Sequence, residues 1–296
     1  MAAMKQQQAS PRARRATAGV FLATFSFAGL APTAQAGIQF FDAFRTGDFQ
    51  QTTASPGFAP GDAAFWFFTA RVVQTAAGDI GTASVTYPGP GSPKALSANG
   101  NVFTAGGSFG TLADLDTAFP GGAYDYSIAG GTLGSDTASL TLPTTHLYAQ
   151  SIPAYANFDA IQTAFDPSKP FTFQWNSLVA NASADESLVF FSLRDDANSA
   201  TVLASGALPG TTTSFGIPAA SLVPGHAYTA DVYFSSRDLN GGGFVNTSEP
   251  LGGVSGLVGD DYVTEVRFTT VPEPVAGGVA AAGLLAGFCL WRRVRR

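Results

Sequence analysis

Apolar and polar residues alternate in short runs along most of the chain, which is the period of a half-buried β-strand. Phe171-Thr172-Phe173-Gln174-Trp175-Asn176 alternates strictly, and Tyr228-Thr229-Ala230-Asp231-Val232-Tyr233-Phe234 follows the same period. Tyr124, Tyr126 and Ile128 share one face, with Asp125 and Ser127 on the other, and Leu140 and Leu142 flank Thr141. Gly and Pro clusters separate these runs, as turns do. Further strands are predicted at 63–73, 83–87, 188–193, 200–208 and 262–271. Phe65 to Phe68 is apolar on both faces, which places it centrally in a sheet. Two short helices are predicted. Thr111 can cap a turn carrying Leu112, Leu115 and Phe119. Asn157 can cap one carrying Phe158, Ile161 and Phe165, which Asp166-Pro167 stops.

The pattern predicts an all-β body with one or two antiparallel β-sandwich domains. Asp166 to Pro170, with two prolines and a fresh strand start, is the linker candidate. It divides the body into a β-rich domain at 37–165 and a second domain at 166–271; one undivided large sandwich is the alternative. In the second half, Leu222-Val223-Pro224-Gly225-His226-Ala227-Tyr228 precedes a strand, and Trp175 lies on an earlier one. A tyrosine at such a corner can return its hydroxyl to the backbone and pin a crossover. Leu-x-Pro-Gly-x-x-Tyr with an upstream strand Trp resembles the fibronectin type III and immunoglobulin-like sandwiches over about 167–271. The stretch from Ser236 to Asp261 departs from that pattern: 26 residues, seven of them Gly, stand where a short hairpin loop is expected.

Both ends break the strand pattern. Lys5, Arg12, Arg14 and Arg15 precede a mainly apolar or small run from Ala16 to Ala31, and Ala34-Gln35-Ala36 then offers an A-x-A cleavage site before Gly37. Residues 1–36 therefore read as a signal peptide for signal peptidase. At the other end, Val271-Pro272-Glu273-Pro274 precedes 17 uncharged residues, 275–291, and then Arg292, Arg293, Arg295 and Arg296. Seventeen residues at about 1.5 Å rise make roughly 26 Å of helix, the short end of what spans a bilayer. The arginines act as a membrane stop and mark the cytoplasmic side. Both apolar segments put their basic flank inside, so 37–271 is expected outside the inner membrane. Pro272, Glu273 and Pro274, followed by the apolar span and the Arg cluster, resemble the PEP-CTERM sorting signal of Gram-negative bacteria. The resemblance implies an exosortase-like membrane enzyme as partner, transient anchoring through a transmembrane helix at 275–291, and a final place at the cell surface or in an extracellular polysaccharide matrix. A plain tail anchor is the simpler alternative.

Charge changes the picture once the ends are set aside. Gly37 to Pro274 keeps seven of the 15 Lys and Arg residues and all 21 acidic ones, a formal charge of −14. That charge opposes nucleic acid and anionic lipid as partners. The one cysteine, Cys289, lies in the apolar span, so the exported stretch has no disulfides and must be held by its core.

Chemistry is sparse. His146 and His226 are the only imidazoles and are not spaced as a ligand pair, so no cofactor or catalytic metal is expected. No G-x-S-x-G elbow or phosphate loop occurs. Asp238, Asn240 and Glu249 fall at loop positions one, three and twelve of a calcium site, with Gly243 at six, but Gly242 occupies position five where a further ligand is wanted. The acidic pairs Asp185-Glu186, Asp195-Asp196 and Asp260-Asp261 border strands. Asn181-Ala182-Ser183 and Asn246-Thr247-Ser248 are N-x-S sequons. The resulting expectation is a non-catalytic, exported surface or matrix protein, structural or adhesive. The alternatives are a carbohydrate-binding module stacking sugars on Phe67, Tyr87, Tyr155 or Tyr233, and a secreted hydrolase using two facing carboxylates.

Overall fold

A computed structural model describes residues 37–163, 165–239 and 256–272. The chain is all-β. Its strands are β1 (Ile38–Gln50), β2 (Phe65–Gln74), β3 (Thr82–Thr86), β4 (Lys94–Asn99), β5 (Val102–Phe109), β6 (Gly122–Ala129), β7 (Asp136–Leu142), β8 (Phe171–Gln174), β9 (Glu186–Asp195), β10 (Ala200–Ala204), β11 (Leu208–Pro209), β12 (Ser214–Ile217), β13 (Ala227–Asp238) and β14 (Gly256–Thr269). Two short helices, α1 (Leu112–Ala118) and α2 (Phe158–Gln162), interrupt them. One 12-stranded sheet runs in the order β10-β9-β13-β14-β1-β2-β5-β4-β3-β6-β7, with β11 pairing β9; β12 and β8 form a second, two-stranded sheet. Every pairing in the long sheet is antiparallel except β1 with β14.

The long sheet folds back on itself, so that β7 packs over β14 and β1. The approach is close. A Cβ added to Gly256 would lie 2.0 Å from Leu140 Cδ2 and 2.7 Å from Phe41 Cζ, so the start of β14 has room only for glycine. Between these layers lies a first core built on Phe41, Phe49, Phe68, Tyr124, Tyr126 and Leu140. A second core collects Tyr155, Phe173, Trp175, Phe191, Tyr228 and Phe268 beneath β8, β12 and α2. Strand β14 serves both from one face: Val258 and Tyr262 enter the first core, Val266 and Phe268 the second.

Local signals explain much of this. Thr111 caps α1 by accepting from the Asp114 amide at 3.1 Å. Asn157 makes no such cap. Its Oδ1 instead accepts from Gln174 N (3.0 Å) and its Nδ2 donates to Thr172 O (2.8 Å), so its side chain pairs the edge of β8 as a strand would. The Tyr228 hydroxyl accepts from Val223 N at 2.8 Å, which is the expected corner. Trp175 stacks on Phe191 and donates its indole N–H to Thr212 O at 2.9 Å. The stretch expected as one long loop is shorter than the sequence indicates: β13 continues to Asp238, which pairs Val258 of β14.

Strands β1, β4, β5 and β12 are additions to the sequence-based set. β1 carries no alternation because both its faces are covered, with Asp42 and Arg45 as buried as Phe41 and Phe44. No helix among the described residues is long and apolar enough to cross a membrane, and residues 275–291 lie outside them.

Candidate functional site

The central strands carry charge on both faces. On the face toward the cores, register places Arg45 of β1 beside Asp260 of β14. Arg45 donates Nε to Asp260 Oδ1 (2.6 Å) and its second guanidinium nitrogen to Oδ2 (2.9 Å), and both side chains are buried, at 1% and 0% exposure. Leu147 N also donates to Asp260. His146 Nε2 stands 3.1 Å from Asp116 of α1, and Asp116 is 4.0 Å from Arg45, so the chain of charge reaches the surface. Burial pushes the Asp260 carboxyl up, and Arg45 opposes the rise. Tyr148, stacked on Tyr262 at 4.6 Å, closes the group; its hydroxyl has no hydrogen-bond partner.

The opposite face of the same strands holds a different set. Asp42 pairs with Arg71 through both oxygens. Arg237 lies over the Phe44 and Phe190 rings at 5.5 and 4.7 Å. Further along, Asp231 of β13 sits opposite Glu265 of β14, and Asp48 of β1 lies beside Val263 and opposite Phe65 of β2. Three carboxylates from three adjacent strands thus share one region. Asp48 is pushed up to about 7, first by burial and then by Glu265. Asp231 is raised well above its ordinary value by burial and Glu265. One oxygen of each has no hydrogen-bond partner. Arg194 and Arg267 approach Glu265 at 3.9 and 3.6 Å.

A carboxyl near 7 is poised to hold or release a proton at neutral pH. It also fixes the pH dependence of folding. Asp48 has a folded value of about 7 against about 4 in an unfolded chain. Its ionisation therefore costs stability above about pH 7, and the cost disappears as pH falls toward about 4. Asp261, raised by burial to about 6, acts in the same direction. The melting temperature should rise on going from pH 8 to pH 5.5, and Asp48→Asn should flatten part of that slope. A profile that falls toward pH 5.5, or that Asp48→Asn leaves unchanged, would contradict the assignment.

Most residues singled out by sequence are kept apart. The neighbouring carboxylates of Asp260 and Asp261 point to opposite faces, as period 2 requires. Asp195 pairs with His226 Nδ1 (3.0 Å), while Asp196 accepts from Thr229 Oγ1 (2.7 Å). Asp238 Oδ1 accepts from Asp185 N (3.3 Å); Asn240 and Glu249, the other calcium candidates, lie outside the described residues. Asn181 of the first sequon donates Nδ2 to His146 O (3.3 Å) and Tyr148 O (3.2 Å) and accepts from Ser183 N, so it works as a loop staple. Tyr87 and Tyr155 are core residues, at 6% and 1% exposure. Phe67 is half-buried beside Phe65, which is 43% exposed and not among the sugar-stacking candidates. Their rings lie 6.2 Å apart with a 46° tilt. The grouping of Asp48, Asp231 and Glu265 has no signal in spacing; only strand register brings them together.

Of the processing residues, Gly37 and Pro272 are described; Ala34, Ala36, Glu273, Pro274, Arg292, Arg293, Arg295 and Arg296 lie outside. Gly37 N donates to Asp79 Oδ2 at 3.2 Å, and Asp79 is buried. Pro272 is exposed just beyond Thr270, which bridges to Phe165.

No protein-family model matches the chain, and no curated protein matches it. Among solved structures it is similar to the BSP domain of a biofilm-associated protein, with 14% identity and a TM-score of 0.21 over 80% of this chain and 30% of that one. It is also similar to the FN1–FN3 domains of chicken CNTN1, with 8% identity and a TM-score of 0.23 over 65% of this chain and 60% of that one. The chain therefore spans less than two thirds of either structure.

Proposed function

We propose that this is an exported, non-catalytic surface or matrix protein. It loses its signal peptide after Ala36, is anchored briefly through 275–291, and is handed to an exosortase-like enzyme at Pro272-Glu273-Pro274. Its role is structural or adhesive in an extracellular polysaccharide layer. The reading is supported by where the folded body meets its two processing points. Cleavage before Gly37 would turn an amide N–H into an ammonium 3.2 Å from the buried Asp79 carboxylate, a charge-assisted bond the uncleaved chain lacks. At the other end Pro272, the first residue of the motif, is exposed two residues beyond the bridge that Thr270 makes to Phe165.

The test compares wild type with Glu273→Ala/Pro274→Ala in the native host, by mass spectrometry of the C-terminus and cell fractionation. Wild type should lose Arg296 and leave the inner membrane, while the variant keeps both. If both proteins retain Arg296 and stay in the membrane, a permanent anchor replaces the sorting signal.

The exposed ring of Phe65 beside Phe67 favours carbohydrate binding as the second reading, since an exposed aromatic face can pack on a sugar ring. Wild type should be retarded on a column of the host's polysaccharide, and Phe65→Ala/Phe67→Ala should elute with the void. Equal elution of the two would remove this reading.

A further inference from the structure

We propose that β1 and β14 form a shear clamp, which lets the body bear tension that enters through its C-terminal end. Ten residue pairs, from Phe41 with Gly256 to Gln50 with Glu265, hold these strands parallel. The chain enters β1 at Ile38 and leaves β14 at Thr269, so its two ends depart from opposite ends of the pair. Tension between them slides one strand along the other, and the hydrogen bonds of the ladder take load together. An antiparallel hairpin pulled apart at its open end breaks its bonds one after another.

The middle of the pair is pinned. Arg45 and Asp260 face each other in register, doubly hydrogen-bonded and out of water. A slip of one residue would bring Asp261, whose side chain belongs to the other face, into the place of Asp260. The end where load arrives is fastened too: Gln51 N donates to Glu265 O (2.9 Å), Thr270 N to His226 O (3.0 Å) and Val271 N to Phe165 O (2.8 Å). On its other edge β14 is paired with β13 from Ala227–Thr269 to Asp238–Val258, so a pull on the tail must slide two ladders at once. In the described sheet, β14–β1 is also the junction between the β10-β9-β13 side and the β2-β5-β4-β3-β6-β7 side. Load on the tail therefore reaches Phe65, Phe67 and the rest of the first half across this pair. The clamp does not depend on sorting or glycan binding; any attachment beyond Val271 loads it.

Single-molecule force spectroscopy tests it on the full chain, with one handle on Cys289 and one on a cysteine added at the N-terminus. The comparison pulls the same chain, carrying Cys289→Ser, through Ala123→Cys and Thr141→Cys, which oppose each other near the open end of the β6–β7 hairpin. The rupture force through the termini should exceed the hairpin force by about two-fold or more, because ten pairs share the load. Asp260→Asn should lower the terminal force and leave the hairpin force unchanged. A terminal force equal to or below the hairpin force overturns the clamp. If Asp260→Asn does not fold, the two pulling directions on the native body decide alone.

Discussion

Arg45→Ala should cost the folded protein about 3–5 kcal/mol, because it leaves Asp260 charged and unpaired inside the protein. Asp260 has 0% side-chain exposure, and its bond to Leu147 N cannot replace a guanidinium. For a body of this size that loss lowers the melting temperature by roughly 6–20 °C. The cost belongs to the orphaned charge and is not the net worth of the pair. Replacing both partners, as Arg45→Met with Asp260→Leu, should therefore recover most of the loss. Recovery stays incomplete because Leu147 N then has no acceptor, a penalty of about 1–3 kcal/mol. Calorimetry on the single and double variants checks both statements. A double variant as unstable as Arg45→Ala would show that packing, and not charge, sets the cost.

Phe173→Ala should be comparably severe, at about 3–5 kcal/mol. Phe173 is fully buried on β8, which belongs to the short two-stranded sheet and packs on the long one through its side chains. Its ring lies 4.9 Å from Phe191 of the long sheet, 5.0 Å from Phe171, 5.8 Å from Phe268 and 6.1 Å from Tyr155. Truncation empties the centre of the second core, where rigid rings cannot close the gap. Phe173→Leu keeps most of the volume and should cost under half as much. Denaturant unfolding distinguishes the two, and equal losses would mean that the site collapses freely around either side chain.

Some features were plain in the sequence because they are local. Alternation at Phe171–Gln174 and Tyr124–Ile128 marks strands with one buried face, and both are found as β8 and part of β6. Thr111 followed by Leu112 and Leu115 marks a capped turn, found as α1. Tyr228 after Pro224-Gly225 marks a corner whose hydroxyl bond is present. The central strand was not readable. Ile38–Gln50 mixes Phe41, Asp42, Phe44 and Arg45 without period, since a strand covered on both faces has no solvent side to keep polar. Asn157 looked like a helix cap, but the unpaired edge of β8 made a stronger claim on its amide. Asp48, Asp231 and Glu265 stand far apart in sequence, and no spacing rule joins residues whose proximity comes from strand order.

The sequence alone determined an all-β body, most of its half-buried strands and the acidic balance of residues 37–274, because side-chain period and composition are properties of neighbouring residues. The tertiary structure decided that β1 and β14 lie side by side in parallel, that Arg45 meets Asp260 between them, and which face each carboxylate takes. Those outcomes depend on which strands become neighbours and in what register, and that is settled only when distant segments compete to cover the same apolar surface.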